Sequence, residues 1–390
     1  ANVSVSSNII TNVPDTAISI NTGDNIQVNS NLINQVNVSF GDKDAISIVD
    51  CNNTVIDSNT ISYVGGNAIT CDCSDVVTPY GYNLTITKNT IDNARENGIY
   101  IKAYFNVEVT NNNLDTLLVN GITICNVTQL NVANNTVVNA NNGIFLNRVS
   151  DATVSGCTVS EVHAIGILVS DFQDDMIISQ NTVLESGGGI NIGSLSTVTG
   201  GIIEKNSISH CDVGVYVWNY ADESLVRYNF LYDNYEGMYI NSHDGKYYNN
   251  TLLMNYYGVY LSFDANNNLF YYNDFIENIV DAISNALIEN NKFSEYIPVP
   301  ETYLGNYWSK YTGVDEVEPF GIGDTPYDIG DGLIDEYPLM HGSAKIPSPS
   351  ISHPADMVVL ENTTGYAITW IVSSIFEAVS YTHLTLPTKA

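Results

Sequence analysis

The chain has 390 residues, of which 44% are hydrophobic and 14% charged; 43 Asp and Glu face 12 Lys and Arg, giving a formal net charge of −31. Enough apolar material is present for a large core. A surface this acidic repels nucleic acid and anionic membranes, so neither is an expected partner, and it repels acidic polysaccharides unless a cation bridges them. No apolar stretch is long enough to span a bilayer.

Read from the N-terminus, the chain opens without Met and already in a strand pattern, as an excised piece of a longer protein would. A short signature, Gly or Ala followed by hydrophobe-x-hydrophobe, then recurs. It reads AISI at 17 and 45, AITC at 68, GIYI at 98, GITI at 121, GIFL at 143 and GILV at 166. It continues as GINI at 189, GVYV at 214, GMYI at 237, GVYL at 258 and AISN at 282. Most spacings are 21 to 25 residues, with 28 and 30 near the N-terminus. A second signature, Asn-x-hydrophobe, keeps the same beat at Asn59, Asn89, Asn113, Asn135, Asn181, Asn206, Asn229, Asn250, Asn273 and Asn291, with Cys157 in that place once. A third apolar stretch, such as Leu130-Asn131-Val132, lies between them.

Three short strands per period of about 22 residues, with no competing helical periodicity, predict an all-β chain: a right-handed single-stranded parallel β-helix of about 12 turns over residues 1–297. Successive turns then stack about 4.8 Å apart, giving a rod on the order of 55 Å long. The two hydrophobes of each signature fill the core, and the asparagines stack at an inner corner, bonding backbone groups and one another. The cysteines, Cys51, Cys71, Cys73, Cys125, Cys157 and Cys211, include no CxxC pair and read as buried free thiols.

These features resemble the right-handed parallel β-helix proteins of the pectate-lyase-like solenoid type. Within that group they are most similar to NosD-like chains and the "carbohydrate-binding and sugar hydrolysis" domains. The stretch "GNYWSKYTGVDEVEPFGIGDTPYDIGDGLIDEYPL", residues 305–339, resembles the C-terminal tail of NosD-like surface proteins, with Pro319-Phe320 where the family usually has an acidic residue before the glycine. Residues 298–345 are therefore expected to cap the rod. Residues 346–380 resemble the start of an immunoglobulin-like module, and residues 381–390 break the composition and read as a non-native tail. The resemblance implies a location outside the cytoplasm: extracellular, cell-surface or periplasmic.

Three sets of residues are candidates for chemistry. The outward position of the signature carries Tyr216, Tyr239 and Tyr260, with Trp218 two residues on; in-register aromatic faces suit sugar rings, and they equally suit cross-strand stacking. Counting back four residues from the repeat glycine gives Glu185, His210 and Asp233 on adjacent turns, an acid–imidazole–acid ladder that could serve a glycoside hydrolase or remain a solvated corner. In the tail, Asp315, Asp324, Asp328 and Asp331 crowd a Gly-rich span of the kind calcium uses. Against catalysis, the motif set of pectin hydrolases on this fold is missing apart from Asp174-Asp175. Against copper, suggested by the NosD resemblance, the five Met and six His residues are dispersed. The expected function is binding of a polysaccharide or surface glycan by the aromatic face. A polysaccharide hydrolase or lyase is the rival, and a structural spacer or copper-maturation accessory the third reading.

Overall fold

Parallel pairing at the sequence period builds the molecule. The computed structural model describes residues 2–38, 42–73, 81–193, 198–285, 290–298 and 300–342, together with short strands at 350–352 and 371–373. The coil is a right-handed parallel β-helix of about 12 turns. Its strands form one 18-stranded and one 13-stranded sheet, and every pairing within both is parallel. Among the described residues there is no helix, and so none long and apolar enough to cross a membrane.

The signature hydrophobes stack on themselves. Ile99 pairs with Ile122, Ile122 with Ile144, Ile144 with Ile167 and Ile167 with Ile190. The column runs on through Val215, Met238 and Val259, all fully buried. The preceding glycine has a steric cause: a Cβ on Gly121 would lie 2.6 Å from the Gly143 carbonyl oxygen, and one on Gly237 would lie 2.6 Å from that of Gly258. The chain packs too closely at this corner for a larger residue.

A second column runs beside the core. The side-chain amide of Asn8 donates to Asn31 Oδ1, Asn31 to Asn59, Asn59 to Asn89, Asn89 to Asn112 and Asn112 to Asn135, each at 2.9–3.0 Å. It resumes from Asn181 through Asn206, Asn229, Asn250 and Asn273 to Asn306. The same amides also donate to strand carbonyls, as Asn206 does to Ile178 O at 3.0 Å. Each side chain thus satisfies backbone groups that the turn leaves without a strand partner.

Two members differ from the sequence reading. Asn112, not Asn113, enters the ladder, and Asn113 is exposed. Asn291 belongs to a separate pair with Asn268, and Asn306 takes the place it was expected to hold. Where the ladder is interrupted, Cys157 offers only a weak sulfur acceptor to Asn135 Nδ2, at 3.9 Å. Cys157→Asn is therefore expected to raise stability by about 1 kcal/mol, read as a higher midpoint in chemical unfolding.

The other cysteines are free as well; all but half-buried Cys125 are buried, and burial pushes the Cys211 thiol up to about 11.

Residues 306–342 close the C-terminal end. Tyr307 and Trp308 pair with Asp274 and Phe275 as the last strand of the second sheet. The Trp308 ring stacks on Phe275 with centroids 4.1 Å apart. Asp335, fully buried, ends the asparagine ladder: it accepts from Asn306 N and Trp308 Nε1, both at 2.8 Å, and from Tyr337 N at 2.9 Å. Burial outweighs these donors and pushes the Asp335 carboxyl up to about 6.

By its contacts the chain divides into residues 1–343 and 344–390. Of the second unit only an antiparallel pair, Ser350–Ser352 with Ile371–Ser373, is described. The expected immunoglobulin-like module and terminal tail otherwise lie outside the described residues.

Candidate functional site

Strand Val213–Val217 sets Tyr216 outward, and the register places Tyr239 and then Tyr260 directly against it on the next two turns. The Tyr239 and Tyr260 rings stack at 4.9 Å and 12°, so they cover each other's faces. Tyr216 is tilted 59° to Tyr239, and Trp218 lies 5.4 Å from Tyr216 at 55°. Trp218 is 47% exposed. It follows the strand immediately, tied by its backbone N–H to Ile192 O at 2.9 Å. A Cβ on Gly193 would lie 2.9 Å from that of Trp218, so the glycine makes its room. The tyrosine ladder therefore stabilises the sheet through most of its length and offers an open ring face where it meets Trp218.

The corners that follow these strands form a cleft of about 400 Å³, lined by Asn219, Tyr220, Asp222, Asn241, His243 and Asp264. Asp222 Oδ1 accepts the His243 backbone N–H at 2.9 Å, and Glu223 N donates to His243 O at 2.9 Å, so one corner holds the next. The Ser262 hydroxyl donates to Asn241 Oδ1. None of the lining residues is among the candidates named from the sequence. The corners vary in length and carry no repeated signature, so periodicity could not find them. The one available signal was the aromatic and amide run Trp218-Asn219-Tyr220 directly after a signature strand.

At the other end of the same strands, Glu236 lies between Val213 and Tyr257. Burial, with Asp212 beside it, pushes its carboxyl up to about 7. This places a carboxyl that is partly protonated at neutral pH near Tyr216 and Tyr239.

Glu185, His210 and Asp233 occupy equivalent corner positions on successive turns. Glu185 N bonds Ser209 O, His210 N bonds Tyr232 O, and all three have left-handed φ, at 52°, 57° and 51°. The structure brings His210 Nε2 within 3.4 Å of Asp233 Oδ2. All three are exposed. They flank the start of the signature strands, whereas Trp218 and the cleft flank the end, so the two candidate sets do not converge.

Three of the four tail aspartates accept backbone donors of nearby turns. Asp315 Oδ2 accepts from Gly321 N, and Asp324 accepts from Glu316 N and Val317 N. Asp328 Oδ1 accepts from Gly330 N, and Asp331 sits in the hairpin turn with φ 51°. Among the described residues no three of His, Cys, Asp or Glu are arranged to hold a metal. Three of these carboxylates hold local backbone donors, while Asp315 Oδ1 is buried with no hydrogen-bond partner, and the calcium site stays an expectation of the sequence.

Among solved structures, the chain is similar to the periplasmic alginate epimerase AlgG, with 14% identity over 73% of this chain and 75% of that one and a TM-score of 0.41. A double mutant of AlgG gives 14% identity, 70% and 72% coverage and 0.44. The Azotobacter vinelandii mannuronan C-5 epimerase AlgE6 A-module gives 10% identity, 74% and 88% coverage and 0.37. No curated protein matches the chain. The family model described as "Periplasmic copper-binding protein (NosD)" matches residues 63–198 and 116–313. The described donors do not fit a copper centre: Met176 and Met238 are sealed in the core, as are most of the cysteines, and no metal-holding group forms. With the two family matches together spanning well over half its length, the chain belongs to the NosD family, which is described as periplasmic, in keeping with the location expected for it outside the cytoplasm.

Proposed function

We propose that this protein binds a polysaccharide against the outward face of its C-terminal coils. Trp218 is the principal platform, and Tyr216, Tyr239 and Tyr260 continue it. The observation that carries this reading is the open Trp218 indole at the end of an in-register aromatic ladder, beside a cleft of amide, hydroxyl and carboxylate groups. Sugar rings present apolar C–H faces to aromatic rings and hydroxyls to such polar groups.

The test is calorimetric titration of the protein with a panel of soluble oligosaccharides, repeated on Trp218→Ala. The expected loss is tenfold or more in affinity with an unchanged melting temperature, because Trp218 is half-exposed. Equal binding by Trp218→Ala would overturn the reading. A hydrolase centred on Glu185, His210 and Asp233 is the second reading, favoured by the His210–Asp233 contact. Release of reducing ends from any bound oligosaccharide, abolished in Asp233→Asn, would establish it in place of simple binding.

A further inference from the structure

We infer that the corner cleft beside Trp218 takes the protonated amino group of an amino-sugar unit, which makes the ligand a cationic, glucosamine-type polysaccharide. This deepens the binding reading above and rests on it. The cleft is concave, at about 400 Å³, and is large enough for a single sugar ring. Its lining carries two carboxylates, Asp222 and Asp264, and no lysine or arginine. Lys246, the lysine closest in sequence, lines a different groove with Asp244, Lys292 and Glu295. Asp222 is fixed by the His243 backbone N–H, so its carboxylate is held in place at the cleft before any ligand arrives.

Aromatic faces complete the recognition. Tyr220 is 52% exposed at the cleft, and Trp218, just before it in the chain, is 47% exposed. An ammonium group placed among carboxylates and aromatic faces gains from both, whereas a uronate carboxylate meets like charge on a chain of net charge −31. A neutral sugar gains only the ring packing. The amino sugar is therefore the ligand for which the carboxylates and the aromatic faces both contribute.

The experiment titrates the whole chain with a glucosamine hexamer, its N-acetylated form and a mannuronate hexamer, at a pH where the free amines are protonated. Wild type, Asp222→Asn/Asp264→Asn and Trp218→Ala are compared, with thermal melts confirming that each is folded. The glucosamine hexamer is expected to bind about tenfold more tightly than the N-acetylated one, with mannuronate weakest. The double variant is expected to lose most of this preference, keeping only the salt-sensitive attraction of the chain's overall negative charge. A preference that shrinks as salt rises would agree. Equal wild-type binding of the two forms, or a preference undiminished by the double substitution, would overturn the assignment. If both forms bind equally and Trp218→Ala weakens both, the amino-sugar assignment fails and the platform stands. If the charge preference is present but Trp218→Ala has no effect, the platform fails. If no hexamer binds, both fail.

Discussion

Asn229→Ala is expected to destabilise the coil by about 3–5 kcal/mol. The Asn229 side chain accepts from the backbone and side-chain nitrogens of Asn206, both at 3.0 Å, and donates to Ile203 O at 2.9 Å and to Asn250 Oδ1 at 3.0 Å. All of these groups lie in the buried ladder beside the core. Alanine would orphan the Asn206 backbone N–H, remove the side-chain donor of Ile203 O and halve the bonding of Asn206 Nδ2 and Asn250 Oδ1, and each buried orphan costs about 1–3 kcal/mol before relaxation or entering water offsets some of it. Because each coil contacts mainly its neighbours, the loss should be local. Amide exchange of Asn206 and the strands on either side should accelerate far more than that of strands near residue 100. A loss below about 1 kcal/mol would show that the ladder is a by-product of the turn and not its support.

Asp335→Ala is expected to open the C-terminal cap at a cost of about 3–5 kcal/mol. Here a single carboxylate receives Asn306 N, Trp308 Nε1 and Tyr337 N, and the last rung of the ladder depends on it. Without it, the Trp308 indole N–H is buried with no acceptor while the ring still stacks on Phe275. Limited proteolysis after residue 300 should report the opening. Asp335→Asn, which keeps one carbonyl oxygen, should retain much of the stability.

The wild-type cap should also respond to pH. The Asp335 carboxyl is raised from an ordinary 3.8 to about 6 when folded, so the folded state holds its proton more tightly than the unfolded state. Its contribution is then fully present below about pH 4 and is lost as pH rises through 6, amounting to ~2–3 kcal/mol across that window. Asp335→Asn should remove this part of the pH dependence. The general repulsion among the other acids, which acts in the same direction, should remain.

The coil was legible because a signature repeated at nearly constant spacing can satisfy its buried hydrophobes only by stacking on itself. That reasoning reached the register of Tyr216, Tyr239 and Tyr260. It slipped by one residue at Asn112, because Asn111, Asn112 and Asn113 are adjacent and only the backbone turn decides which one points inward. It could not place Asp335, whose partners Asn306 and Trp308 lie 29 and 27 residues away outside the repeat. The cleft was hidden for a related reason. Tyr220, Asp222, Asn241 and Asp264 sit in corners of unequal length, where no period constrains which residues meet. Glu236 was visible as an acid, but its raised carboxyl depends on burial that the repeat alone does not specify.

The account turns on whether a sugar chain lies against Trp218. Acrylamide quenching of tryptophan fluorescence reads this once the signals of the other two tryptophans are subtracted: Trp218 is half-exposed, Trp308 is sealed in the cap and Trp370 lies outside the described residues. Difference measurements between wild type and Trp218→Phe isolate the Trp218 signal. With a saturating oligosaccharide, that signal should become protected from acrylamide. An unchanged Trp218 signal, with the oligosaccharide shown by equilibrium dialysis to be bound, would place the ligand elsewhere and contradict the account.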